Sequence, residues 1–153
     1  MLCRHTILNL LDEHDWSPGA VYWVAVLWRR LMGRSVLNTS TSSPMVVSFA
    51  HVCTDGSSTA VAFANLANAT TMLADPFGPH CATRSEYILT AADGLNNTAV
   101  LLNGVQLVAS EAGTLPPLEP RVHQCGSPRK PVVLPPQSYG FIVYGVVSMD
   151  NYQ

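Results

Sequence analysis

The strongest constraint on the fold is a change in hydrophobic period at Gly33. Before this residue, apolar side chains from Val21 to Met32 recur at spacings of three and four, which predicts an amphipathic helix over 18–32. Ser17 can cap this helix, Pro18 fits its first turn, and Gly33 can end it in the left-handed conformation. After Gly33 the apolar residues follow the two-residue period of β-strands.

The region after Gly33 is predicted to form a succession of short strands. Asn103-Gly104 lies between two apolar runs and is typical of a hairpin turn with positive φ at both positions. The predicted strands are Met45–Cys53, Thr59–Asn65, Glu86–Thr90, Val100–Leu102, Val105–Val108, Val132–Leu134 and Tyr139–Val147. Because no helical pattern separates them, the predicted fold class is mainly β, an antiparallel β-sandwich preceded by one amphipathic helix.

Composition excludes several classes of function. The chain has 153 residues, enough for one domain with a single core, and a net charge of -2 with no basic stripe, which argues against nucleic-acid binding. No apolar run reaches the roughly 20 residues needed to span a bilayer, so we expect no transmembrane segment. The first residues also lack the uninterrupted apolar run of a signal peptide, and we expect a signal upstream of Met1.

Three Asn-x-Ser/Thr sequons favour the secretory pathway. They begin at Asn38, Asn68 and Asn96, and all three lie in predicted loops. We therefore predict N-glycosylation at these residues and a secreted or extracellular location, or a vacuolar or lysosomal one.

Cysteine and histidine occur together in three places. These are His51-Val52-Cys53, His80-Cys81 and His123-Gln124-Cys125. Residues two apart on a strand face the same side, so His51 and Cys53 could reach one ligand. No Cys-x-x-Cys pair and no helical pair of histidines accompanies them, so we predict no metal site and favour disulfides. The chain has four cysteines, which allow three complete pairings, and the sequence does not choose among them.

We predict no catalytic residue and no cofactor site in this chain. The acidic residues lie mostly at turns, and no two of them form the poised pair that general acid–base catalysis needs. A Gly-x-Ser-x-Gly nucleophile elbow and a phosphate-binding glycine-rich loop are both missing from the sequence.

Several segments resemble, in order and spacing, the plant heparanase-like proteins of glycoside hydrolase family 79. The resemblance covers nearly the whole chain. The segments are Val21–Gly33, Phe49–Cys53, Ala64–Thr70, Glu86–Gly94, Leu101–Gly104, Leu115–Pro120 and Ser138–Tyr144.

This resemblance implies a two-part architecture. Heparanase-like proteins carry a (β/α)8 barrel followed by a C-terminal β-sandwich, and the predicted helix resembles the last helix of the barrel. Residues 1–34 are then the end of the barrel and residues 35–153 are the sandwich. The helix residues implied to pack on the barrel are Trp23, Leu27, Trp28 and Leu31.

The implied activity is that of a retaining β-glucuronidase acting on glucuronic-acid-containing polysaccharides or on glucuronides. In this family the two catalytic glutamates lie on barrel strands, upstream of the region that this chain resembles, so no residue here inherits either role. The missing barrel is the implied partner. We interpret the chain as a fragment, a truncated gene model or a degenerate copy that is inactive by itself.

Two departures from the family pattern affect specific residues. Residues Leu2–Leu8 resemble a family segment that continues with Gly-Gly-Asn-Tyr-Gly, but this stretch is missing before Asn9. Its absence affects the region that resembles the last barrel strand. The family often has a C-terminal cysteine that bridges to the residue matching Cys53. Because that cysteine is missing here, we expect Cys53 to pair with Cys81 or Cys125, or to remain free.

A function of a different class is also open. The chain can be a stand-alone extracellular module that uses its sandwich to hold glycans or a protein partner.

Overall fold

The computed structural model describes residues 10–11, 17–77, 80–94, 98–126 and 130–146. The predicted sequon residue Asn96 and the N-terminal segment before residue 10 lie outside these ranges. Within the described part of the chain, no helix has both the length and the apolar character required to cross a bilayer.

One helix, α1, spans Ala20–Leu31, close to the predicted 18–32. Gly19 precedes it in an extended conformation, and no side chain caps its first turn, so the expected Ser17 cap is wrong. The expected left-handed ending at Gly33 is also wrong, because Met32 ends the helix in an extended conformation. Gly33 is required for space instead, since a Cβ there would overlap the carbonyl oxygen of Val52.

In the described ranges, ten strands follow the helix. They are β1 (Val36–Leu37), β2 (Val46–Val52), β3 (Thr59–Asn65), β4 (Thr71–Leu73), β5 (Cys81–Ala91), β6 (Val100–Leu102), β7 (Val105–Gln106), β8 (Arg121–Gln124), β9 (Val132–Leu134) and β10 (Tyr139–Val146). The bounds of β3, β6 and β9 agree with the predicted ones. Three strands, β1, β4 and β8, were not predicted.

All strand pairs are antiparallel, as the sequence predicts. The large sheet has the order β1-β2-β3-β10-β5-β6-β7, with β8 also paired to β5, and β4 and β9 form a separate two-stranded sheet. The hairpin between β6 and β7 turns through Asn103 and Gly104, which both have positive φ, and this confirms the predicted turn. The Asn103 side chain also joins the hairpin to β5, since it donates to the Glu86 carbonyl oxygen and accepts from the Ile88 amide.

The two faces of the large sheet carry separate hydrophobic cores. On β10, Phe141 faces a core that contains α1, whereas the next residue, Ile142, faces a core that contains β9. The helix therefore covers one face of the sheet, and the two-stranded sheet covers the other. This arrangement confirms the predicted class of an antiparallel sandwich with one helix.

Candidate functional site

The inner face of α1 packs on the chain's own large sheet. Trp23 and Leu27 are fully buried, in one core with Ala60, Leu89 and Phe141. Leu31 is half-buried against the same core. The expectation that Trp23 and Leu27 pack on a separate barrel is therefore corrected, because the sheet already covers them.

The outer face of α1 is apolar as well, and it is exposed. Val21, Ala25 and Trp28 lie at spacings of four and three, so they form one stripe along the helix. Trp28 is 39% exposed although it is one of the largest apolar side chains in the protein. A helix that is apolar on opposite sides is typical of one that is buried on both sides.

A groove of about 260 Å³ continues this stripe onto the sheet. Val24 and Trp28 form its helical wall, and Val47 and Phe49 of β2 form the opposite wall. Phe49 is 55% exposed, although it lies on the face of the sheet that carries the helix. We call Val21, Val24, Trp28, Val47 and Phe49 the docking surface. These residues form an exposed or partly exposed apolar area along the helix and the groove.

His51 and the sheet hold the Trp28 indole in place. The His51 ring meets Trp28 edge-on at 5.5 Å between ring centroids, and Phe141 does so at 6.2 Å. His51 is oriented in turn by a 2.7 Å hydrogen bond from its Nδ1 to the Gly33 carbonyl oxygen. These contacts therefore fix the orientation of the exposed indole.

A buried ion network lies on the other face of the sheet, and it was not predicted. Arg84 of β5 donates to Asp75 Oδ2 and to the Lys130 carbonyl oxygen, both at 2.8 Å. Its Nε lies 2.9 Å from Glu86 Oε1, close enough for an ion pair but not aligned as a hydrogen bond. Glu86 Oε2 lies 3.1 Å from His123 Nε2 on β8. Residues two apart on a strand face one side, so the Arg84-x-Glu86 spacing on β5 is the signal that could have indicated this pair.

This network ties the two sheets together. Arg84 lies on the large sheet, Asp75 follows β4, and Lys130 precedes β9, so one guanidinium joins both layers. Both carboxylates are occupied by Arg84, which leaves neither poised for acid–base chemistry. Burial raises the pKa of nearby Tyr144 well above its usual value; the Asp75 and Glu86 charges add to this effect, and the Arg84 charge opposes it.

The disulfide links Cys81 and Cys125, which are 44 positions apart in the sequence. Cys53 is a buried free thiol, so of the two alternatives expected for it the structure has the free one and not a bridge to Cys81 or Cys125. Burial, with a smaller contribution from the Asp55 charge, raises the pKa of Cys53 to about 11. In the part of the chain that the structure describes, His, Cys, Asp and Glu form no group of three that could hold a metal ion.

Two of the predicted sequon residues lie in described parts of the chain. Asn38 and Asn68 are both exposed and lie outside the strands. The Asn68 Oδ1 accepts a 2.8 Å hydrogen bond from Gln137. The Asn68 Nδ2 takes no part in that contact.

Sequence comparison relates the chain to plant proteins. It is 31% identical over 172 residues to heparanase-like protein 3 of Arabidopsis thaliana, covering 92% of this chain and 32% of that protein. It is 27% identical over 179 residues to heparanase-like protein 2 of the same plant, covering 92% and 33%. Baicalin-β-D-glucuronidase of Scutellaria baicalensis is 31% identical over 126 residues, covering 77% of this chain and 24% of that protein.

The chain spans about a third of the length of the heparanase-like proteins that it matches. No protein-family model matches the sequence. Among solved structures, the crystal structure of BuGH86wt in complex with neoagarooctaose has a similar fold. Its TM-score is 0.54 at 15% identity, and the match covers 82% of this chain and 17% of that one. At this identity the likeness shows the fold alone.

Proposed function

We propose that this chain, a relative of the heparanase-like proteins, forms the C-terminal β-sandwich region of a retaining β-glucuronidase. In this proposal the region braces a (β/α)8 barrel that carries the two catalytic glutamates. The substrates are then glucuronides or glucuronic-acid-containing polysaccharides, and residues of this chain do not take part in the chemical step. The names and sequence identity of the relatives support the enzyme class.

The docking surface is the observation that carries the bracing role. The sheet covers Trp23 and Leu27 completely, yet Trp28, which contacts His51 and Phe141 of the same sheet, remains partly exposed, and Phe49 lies beside it. Complete burial of such a side chain contributes about 1.5–3 kcal/mol. Trp28 and Phe49 are 39% and 55% exposed, so covering both supplies about half of that contribution from each, which favours contact with a second domain. A barrel that placed its own helices against α1 would cover both.

The disulfide supports a secretory location. Bridges such as Cys81–Cys125 form and persist in oxidising compartments and are rare in the cytosol. Glycosylation at exposed Asn38 and Asn68 is part of the same proposal.

A chimera tests the bracing role. The matching region of Arabidopsis heparanase-like protein 3 is replaced by this chain, the protein is expressed in a secretory host, and hydrolysis of a chromogenic β-glucuronide is measured. We expect activity from the chimera and a loss of about tenfold or more when Trp28→Glu and Phe49→Ser are combined, because burial of both side chains is lost.

Met72→Ser is the matched control. Met72 is 65% exposed but lies on β4, in the two-stranded sheet on the opposite side of the large sheet. This variant should keep the activity of the unmodified chimera. Equal activity in the docking-surface variant and the Met72 control would contradict the bracing role. Turnover by the isolated, purified chain would contradict the assignment of catalysis to the barrel.

A further inference from the structure

A cleft of about 470 Å³ opens between the two sheets, on the face away from the docking surface. Val61 and Tyr144 of the large sheet line its floor, Leu73 and Val132 of the small sheet line one wall, and Phe77 lies beside them. The lining is mostly carbon. A cleft of this size and character is typical of a site that is covered by a small molecule or a segment of similar dimensions.

The rim of this cleft carries a sequon. Asn38 lies directly after β1, in a stretch without regular secondary structure, and both Asn38 and Ser40 are exposed and line the cleft. Thr39 lies between them and faces inward, where its Oγ1 donates to the Ser48 carbonyl oxygen at 3.1 Å. Thr41 Oγ1 donates to the Val46 carbonyl oxygen at 3.0 Å. The rim is therefore held against β2 while the Asn38 side chain remains accessible to a glycosylating enzyme.

We propose that Asn38 carries an N-linked glycan whose first sugars lie in the cleft between the two sheets. This inference rests on the secretory location proposed above. The glycan is attached at the rim, so its effective concentration at the cleft is high and weak contacts suffice to hold it there. A pyranose ring has an apolar C–H face and a polar edge. The apolar face fits Leu73 and Phe77, and the polar edge fits the hydroxyl groups of Ser40 and Ser42 at the rim.

The glycan would also cover apolar surface that the fold leaves exposed in the cleft. An open apolar cleft on a secreted protein exposes carbon-rich surface to water and to other proteins. Sugar rings that fill it exclude water from both layers, and this stabilises the small sheet against the large one. Asn68 differs in this respect, because it does not line the cleft and bonds to Gln137 instead. Any glycan at Asn68 should have little effect on stability.

The test compares four variants of the full chain expressed in a eukaryotic secretory host. Mass spectrometry of glycopeptides gives the occupancy of each sequon, and thermal melting gives the stability. Ser40→Ala removes the sequon and leaves Asn38 in place, whereas Ser40→Thr keeps the sequon and is the matched control. Asn38→Gln removes the first attachment site, and Thr70→Ala removes the sequon at Asn68 while keeping the hydrogen bond between Asn68 and Gln137. Binding of the fluorescent apolar dye ANS reports on the open cleft.

We expect Asn38 to be occupied in the unmodified chain and in Ser40→Thr. Loss of the glycan in Ser40→Ala and in Asn38→Gln should lower the melting temperature by about 2–4 °C, the shift typical of a modest loss in a domain of this size. Dye fluorescence should increase in the same two variants. The Thr70→Ala variant should melt like the unmodified chain.

Three results would overturn the inference. An unoccupied Asn38 beside an occupied Asn68 would do so and would leave the secretory location intact. Equal melting of Ser40→Ala and Ser40→Thr, with Asn38 occupied in the latter, would show that the glycan does not lie in the cleft. If neither sequon is occupied and the chain is retained in the cell, the proposed location fails as well.

Discussion

Replacement of Arg84 by Met tests the role of the buried ion network. Arg84 is 4% exposed, and it is the cation that Asp75 and Glu86 share. Removing it leaves two carboxylates buried without that partner, and removal of one member of a buried pair costs about 3–5 kcal/mol. The carbonyl oxygens of Lys130 and Pro131 also lose a donor. Domains of this size are stable by about 5–15 kcal/mol, so the variant should retain only part of its free energy of unfolding.

Urea unfolding followed by tryptophan fluorescence measures this loss. With a dependence on urea of about 2 kcal/mol per molar, the midpoint should fall by about 1.5–2.5 M. Arg121→Met is the matched control, because Arg121 is an exposed arginine opposite Glu86 on the neighbouring strand. Its unfolding free energy should change by no more than about 0.5 kcal/mol.

Neutralising the carboxylates provides a second check on the same reasoning. Adding Asp75→Asn and Glu86→Gln to the Arg84→Met variant should recover part of the lost stability, since no uncompensated charge then remains buried. If Arg84→Met unfolds at the same urea concentration as Arg121→Met, or if the triple variant is no more stable than the single one, the network does not tie the sheets as argued.

Three further predictions follow from the packing. In the isolated chain, Trp28→Glu should reduce self-association in sedimentation, whereas Met72→Ser should not, because only Trp28 belongs to the docking surface; equal effects would contradict this. The Cys53 pKa is raised from 9.0 to about 11, so the native state holds this proton more tightly, and stability should fall as the pH rises through 9–11. Cys53→Ala should remove that part of the fall, and an unchanged pH profile would argue against it. Gly33→Ala should cost about 1–3 kcal/mol in chemical unfolding, because its Cβ meets backbone, whereas Gly126→Ala, with open space around it, should cost little; similar losses would refute the steric argument.

Local periodicity determined much of the secondary structure. The helix and the strands β3, β6 and β9 were predicted at or near their bounds, because each has a pattern that is contained within a few residues. The Asn103-Gly104 turn was predicted for the same reason, since positive φ is a property of the residues themselves.

Strands that depend on a neighbour were missed. The sequence of β8, Arg-Val-His-Gln, has little apolar character, and it forms a strand because β5 offers it a hydrogen-bonding edge. The role of Gly33 was mistaken on similar grounds. A glycine after a helix usually indicates a left-handed ending, but here the backbone of β2 comes too close for any Cβ.

The candidate sites were likewise predicted in part from the sequence and decided in part by the tertiary structure. The sequence by itself showed that α1 is rich in large apolar residues, that sequons exist, and that cysteines are available for bridging. Only the tertiary structure decided that Trp23 is fully buried on the chain's own sheet while Trp28 stays partly exposed, that Cys81 pairs with Cys125, and that Asn38 lies at the rim of a cleft. Periodicity describes how residues are spaced along one element. Which side of that element is covered depends on contacts between segments that are far apart in the chain, and those contacts form only when the sheets pack.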